Sequence, residues 1–339
     1  MSYLRLVLIT VSFITIFYKV SIAQEPFNPQ LTYYSVARNP ALAGLNTTDL
    51  QFNFSYEHQN KKILVPYRSL QAEIISRYRM QNSSDGFSFG AFIKYDQAGS
   101  NQLKSAQFLP VINFHKSLSD VQESYLSFAF IPGIYKTQFD LNTLPTIQQY
   151  NPSPFSLAST DLQLVKSFSS NYIDFTTGLS FYTDINPCLS FYSGVALFHF
   201  SQNILKENTI VPKQHRTWVL NTGIKWKYDR FNLQLLADLR ISKSEKTVYC
   251  AAIIGFPIFQ NPFMEATALN IGTYYNSESM LSPTVSISMP HFSFAISYDL
   301  YTRSIHNLPI QTNAVASTIS VGINSHKRNN ESEKMRCKL

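Results

Sequence analysis

The side chains that could do chemistry are few and scattered. No HExxH, CxxC pair, phosphate-binding P-loop or GxSxG elbow occurs in the 339 residues. The histidines, at 58, 115, 199, 215, 291, 306 and 326, stand singly. A lone histidine is a weak signal without a second ligand or a nucleophile in reach. Tyr56-Glu57-His58 reads as a hydrogen-bonding strand end, and His115 and His199 as polar residues that each end a strand. A hydrolase would need a Ser–His pair, and serines are so abundant here that only the fold can pair one. Cys188, Cys250 and Cys337 are odd in number and lack metal-ligand spacing, so neither a metal site nor a disulfide framework is expected. The sequence reads as a non-enzyme without a cofactor.

The elements that carry these residues are strands. From about residue 50 to 324 apolar side chains recur with period 2. Phe87, Phe89, Ala91, Ile93 and Tyr95 oppose Ser88, Gly90, Phe92 and Lys94. Ile173, Phe175, Leu179 and Phe181, with Thr177, oppose Asp174, Thr176, Gly178 and Ser180. Trp218, Leu220, Ile224, Trp226 and Tyr228 oppose Val219, Asn221, Gly223, Lys225 and Lys227, and 292–300 repeats the scheme. A helix would need recurrence near 3.6. Hairpins are expected at Met289-Pro290 and Asp229-Arg230, with a loop at 82–86. Counting runs gives fourteen to sixteen strands of 8–14 residues. Residues 138–159, rich in Asn, Pro and Gln, form the longest expected loop.

Only 14% of residues are charged, against roughly 25% in an ordinary soluble domain. Aromatics reach 14%, with 26 Phe and 20 Tyr. An apolar content of 45% argues against intrinsic disorder. The longest apolar or hydroxyl run, 6–18, is too short for a membrane-spanning helix. Preceded by Arg5 and followed by Ser21-Ile22-Ala23, it has the form of a secretory signal peptide, 1–23. The formal charge of +7 is partly terminal: Arg5 and Lys19 lie in this leader, and residues 325–339 hold five basic against two acidic groups. The remaining body, near +2, has no nucleic-acid footprint.

A soluble sandwich would expose a polar face bearing many Lys and Glu. Here the polar face is Ser, Thr, Asn, Gly and Gln, and the apolar face ends in Tyr and Phe. That pattern fits a transmembrane β-barrel with an apolar exterior and a polar lumen. Lipid forbids open strand edges, so the sheet must close. A secreted soluble β protein is the competing class.

Short motifs then become specific in their order. Asn39-Pro40-Ala41-Leu42-Ala43-Gly44 follows the leader, and Tyr67-Arg68-Ser69-Leu70-Gln71 comes next. Tyr95-Asp96-Gln97-Ala98-Gly99 precedes Phe114-His115-Lys116-Ser117-Leu118. A glycine-containing strand, 126–138, leads to Phe139-Asp140-Leu141 and Gln148-Gln149-Tyr150. Residues 174–182, then 193–200 with Gly194 and His199, then Ser297-Tyr298-Asp299 and Ser304 complete the series. The chain resembles the PorP/SprF family of outer-membrane proteins of Bacteroidetes. It departs from the family where Leu70-Gln71 replaces Gln-Trp and where the last strand, 314–320, lacks a glutamate.

The resemblance implies an all-β outer-membrane barrel of about 14 antiparallel strands, FadL-like, spanning 51–324. Residues 24–50 would form an N-terminal plug or periplasmic segment, and 325–339 a disordered basic tail. It implies an integral outer-membrane component of type IX secretion and gliding motility. Its partners would be periplasmic type IX lipoproteins, a peptidoglycan-associated lipoprotein, a secreted cargo's C-terminal domain or adhesin, and membrane lipid. The alternative is a FadL-like transporter or channel for small hydrophobic molecules. Bottom-up, Gly44, Gly99, Gly133, Gly178 and Gly194 read as sites of positive φ or close backbone approach. Asp96 and Asp299 read as turn or interface hydrogen-bonding groups, and Arg68, Asp96 and Asp174 as alternatives for lumenal ion pairs.

Overall fold

In the computed structural model the period-2 runs pair into one closed antiparallel sheet. It describes residues 31–45, 49–59, 67–81, 83–98, 103–119, 122–139, 168–201, 205–206, 215–228, 231–243, 246–261, 264–277, 280–301 and 314–323. The expected signal peptide (1–23), residues 24–30, the basic tail (325–339), most of the 138–159 loop, Asn82, Gly99, Asp140-Leu141, Gln148-Gln149-Tyr150, Asp229-Arg230 and Ser304 lie outside them.

The strands are β1 (Leu50–Gln59), β2 (Tyr67–Arg79), β3 (Gly86–Ala98), β4 (Leu103–Ser117) and β5 (Ser124–Phe139). They continue as β6 (Phe168–Asn186), β7 (Leu189–Phe198), β8 (Leu205–Lys206), β9 (Thr217–Tyr228) and β10 (Phe231–Ile241). The last are β11 (Lys246–Asn261), β12 (Met264–Asn276), β13 (Met280–Ser288), β14 (Phe292–Tyr301) and β15 (Ala314–Ile323). β8 is a two-residue addition beside Tyr172 and Ile173 of β6, so fourteen strands build the wall. Each wall strand pairs with the next, and β1 pairs with β15 from Leu50↔Ile323 to Gln59↔Ala314. That seam removes both sheet edges, as lipid requires.

Several strands are longer than expected: β6 has 19 residues, and β5 and β11 have 16 each. A tilted crossing uses only about 9–11 residues, so the remainder extends past the apolar band. At the end holding Leu50 and Ile323 the connections are short, as between β6 and β7 or β9 and β10. The opposite end carries the long connections 140–167 and 302–313. In outer-membrane barrels short turns face the periplasm.

The burial pattern is the reverse of a soluble protein's. On β3 Phe89 and Ile93 are 48% and 45% exposed, whereas Ser88 is completely buried. On β9 Trp218, Leu220, Ile224, Trp226 and Tyr228 are exposed while Val219 and Asn221 are buried. Phe292, Phe294, Ile296, Tyr298 and Leu300 face outward on β14 in the same way. Buried positions across the ring include Asn53, Gln71, Glu73, Asn113, Thr176, Asn221 and Asp238. Lipid contact stabilises the first set and internal hydrogen bonding the second. Among the described residues no helix is long and apolar enough to cross a membrane.

Candidate functional site

The polar interior is occupied by the chain's own N-terminal segment, 31–45. It has a 3-10 turn at Leu31–Tyr33, a four-residue helix, α1 (Ser35–Arg38), and a second turn at Pro40–Leu42. Helices this short are not stable alone. Asn39 starts the second turn locally: its Oδ1 accepts from Ala41 N at 2.9 Å, and Pro40 supplies the fixed φ that follows. The rest of the order comes from the wall.

Contacts run around the ring. Glu73 on β2 accepts from Ser35 N, Ser35 Oγ and Val36 N at 3.0–3.3 Å, meeting the unpaired amides at the start of α1. Asn113 on β4 donates through Nδ2 to Ala41 O and Ala43 O, both at 2.9 Å. From β6, Ser180 Oγ donates to Ala41 O at 2.8 Å, and Asn39 Nδ2 donates to Leu179 O. Arg240 on β10 donates to Ala37 O, and Thr32 Oγ1 bonds the Tyr274 hydroxyl of β12. The segment therefore crosses the lumen.

One ion pair fixes it. Arg38 Nε and Nη2 donate to Asp238 Oδ2 and Oδ1 at 2.7 and 2.6 Å, with both side chains buried. Nη2 also donates to the Tyr192 hydroxyl, and Asn221 Nδ2 donates to Asp238 Oδ1. Burial opposes the charge on Arg38, but Asp238 and Tyr192 outweigh it and hold the guanidinium above its ordinary pKa. Burial likewise raises the phenol of Tyr34.

Small residues let the segment approach. Gly44 has φ +81°, and a Cβ there would lie 1.8 Å from Ser88 Oγ. Ser88 in turn bonds His115 Nε2, whose Nδ1 meets Ser127 Oγ, each at 2.7 Å. A Cβ on Gly178 would meet Asn39 Oδ1 at 2.2 Å, and one on Gly194 would meet Asn39 Nδ2 at 2.7 Å. The motif Asn39–Gly44 thus docks on the motif glycines of β6 and β7, which come together from distant parts of the sequence.

A second cluster lies higher on β6. Asp174 Oδ2 holds His199 Nδ1 at 2.8 Å, while Oδ1 accepts from Ser201 Oγ and Phe175 N. His199 adopts φ +56° just beyond β7. Ser201 bonds the carboxylate rather than the imidazole, so this is no nucleophile–base pair. Among the described residues no three His, Cys, Asp or Glu side chains gather as a metal site.

The other motif residues stay apart, and two expectations need correction. Arg68 is exposed on the outer face and joins no lumenal ion pair with Asp96 or Asp174. Asp96 and Asp174 do form inward-facing ion pairs: Asp96 with Lys94 at 3.1 Å, also accepting from Ser69 Oγ, and Asp174 with His199. Asp299 occupies no turn: it is fully buried on the inward face of β14, next to outward-facing Tyr298. Period-2 parity places each of them, because Arg68 is one residue out of step with Ser69 and Gln71. Tyr67 and Ala98 lie half-buried near the ends of β2 and β3. Sequence reading missed Arg38, Glu73, Asn113, Tyr192 and Asp238. The available signal was an acid at an inward-facing strand position, as Glu73 and Asp238 are.

A family model described as type IX secretion system membrane protein PorP/SprF matches residues 20–323. No curated protein matches the chain. Among solved structures, a ΔS2S3 mutant of TodX, a monoaromatic hydrocarbon channel, is similar at TM-score 0.53 and 9% identity, covering 86% of this chain and 94% of its own. The toluene transporter TodX of P. putida is similar at TM-score 0.47 and 8% identity, covering 90% and 97%. At these identities the likeness concerns the fold.

Proposed function

The chain belongs to the PorP/SprF family of type IX secretion system membrane proteins, and from that premise we propose that it works by docking rather than by conduction. It is an integral outer-membrane barrel of the secretion machinery. Periplasmic turns would hold the type IX lipoproteins and a peptidoglycan-associated lipoprotein, while the opposite rim engages a secreted cargo's C-terminal domain or an adhesin. The observation that supports this reading is the lumen crossed by 31–45 and fastened by Arg38–Asp238. A conduit for protein would have to break a buried ion pair at each passage, and removing one partner of such a pair costs about 3–5 kcal/mol. Around fourteen strands also fall below the wide porins of 16–18.

The alternative reading, a channel for small hydrophobic molecules, draws on the fold shared with TodX. It expects uptake of such molecules into vesicles carrying the purified barrel. The docking reading expects none, and expects type IX lipoproteins or C-terminal-domain cargo to co-purify from native membranes in mild detergent. Recovery of neither would sink the docking role while leaving the barrel intact.

A further inference from the structure

Between the N-terminal segment and the wall formed by β6, β7, β9 and β10 lies a partly open cavity of about 50 Å³. Arg38, Tyr182, Tyr192, Lys225 and Gln234 are among its polar lining residues. Its wall residues lie toward the short-turn ends of their strands: Lys225 is three residues from the end of β9, and Tyr192 three from the start of β7.

The group without a partner is Lys225. Among the described residues its ammonium makes no hydrogen bond or ion pair, although it faces the lumen. Charged groups acting on it are Lys227 and Arg38, of the same sign, and Asp184. Arg38 is already matched by Asp238. Asp184 lies two strands along the inner wall, since Ser190 opposes both it and Lys225 in register. Strand spacing puts the two Cα atoms roughly 9–10 Å apart. The Asp184 Oδ1 already accepts from the Tyr182 hydroxyl at 2.7 Å. A cation withdrawn from bulk water needs a counter-charge close by, and the one carboxylate of the wall that acts on it, Asp184, is already engaged by Tyr182.

Hydrogen-bond donors converge on the same space. The Tyr192 oxygen accepts from Arg38 Nη2, which leaves its own proton available. Gln234 opposes Lys225 across β9 and β10, with an amide group on the same wall. Gly223 makes room for the Tyr192 ring, because a Cβ there would sit 2.4 Å from it.

We propose that this cavity is an anion site taking a carboxylate or a similarly small oxyanion, with Lys225 as its charge partner and Tyr192 and Gln234 as donors. Two sources share that chemistry: a free small anion, and the terminal carboxylate of a peptide chain entering from the short-turn end. The site stands independently of the docking role.

Isothermal titration calorimetry on the detergent-solubilised full-length barrel tests it. The probes are acetate, inorganic phosphate, and one pentapeptide with either a free or an amidated C-terminus. Binding of at least one free anion is expected, weakened at least about tenfold in K225Q, retained in K225R, and lost on amidation of the peptide. Acetate or phosphate binding as well as the free-acid peptide identifies a free anion; a peptide preference of about tenfold or more identifies a chain terminus. The proposal is overturned if no probe binds to wild type, or if K225Q, shown to be folded by its heat-modifiable gel mobility, binds as wild type does.

Discussion

Gly178 lies directly beneath Asn39: a Cβ on that glycine would fall 2.2 Å from the Asn39 Oδ1 that caps the Pro40–Leu42 turn. The absence of one methyl group in β6 is therefore what lets the N-terminal segment seat against the wall. Gly194 clears the other side of the same amide.

Gly178→Ala should unseat the segment without opening the barrel. The strand tolerates alanine, but the Asn39 cap must move, at about 1–3 kcal/mol for an overpacked contact. Limited proteolysis should then cut within 31–45 faster than in wild type, while the folded gel mobility persists. Unchanged protection would refute the seating role.

Asp238→Asn leaves the buried Arg38 guanidinium without its counter-charge, and the loss should be about 3–5 kcal/mol. The double change Arg38→Met with Asp238→Leu should recover most of it, because an apolar pair removes both desolvation penalties. Equilibrium urea unfolding of the reconstituted barrel measures each. A double mutant no better than Asp238→Asn alone would contradict the account.

Phe130, 47% exposed between Phe128 and Ile134 on the outer face of β5, should report the lipid contact. Phe130→Arg is expected to destabilise insertion by about 2–4 kcal/mol if near the bilayer midplane. The inward Thr176→Ser should be nearly silent. Folding into vesicles, compared between the two variants, decides which face meets lipid.

Asp85, in the turn between β2 and β3, accepts from Lys116 Nζ and Ser117 N, both at 2.9 Å, and these bonds lower its pKa. A depressed carboxylate stabilises the fold above the unfolded-state pKa, near 3.9. That contribution should disappear as the pH falls through the lower folded value. Above pH ~5 wild type should melt slightly higher than Asp85→Asn, and the gap should close as the pH falls through the lowered folded value. A constant gap across this range would assign the difference to something other than ionisation.

Much of the barrel was legible because each strand states its own orientation. Phe89 and Ile93 against Ser88, or Trp218 and Leu220 against Asn221, separate lipid from lumen by parity alone. Parity set Asp299 on the inward face with Ser293, Ala295 and Ser297, where the structure has it, and the same rule applied to Arg68 would have placed it outside. Reading Arg68 as a lumenal residue by motif overrode that local signal. Strand lengths were less legible, since alternation in β6 continues past the membrane without a marker. The interior site was the hardest to read. Arg38 and Asp238 are 200 residues apart, and neither belongs to a recognisable chemical motif.

The sequence by itself determined a closed antiparallel barrel with a largely apolar exterior, because period-2 alternation and the intolerance of lipid for open edges act on every strand separately. It also determined the family, through the order of many short motifs. Only the tertiary structure decided what fills the lumen. Closure of the ring brings Glu73, Asn113, Gly178, Tyr192 and Asp238 to face one another, and a segment too short to fold alone takes its shape from them. The unmatched charge of Lys225 follows from the same closure, since its neighbours on the inner wall are set by strand register rather than by sequence distance.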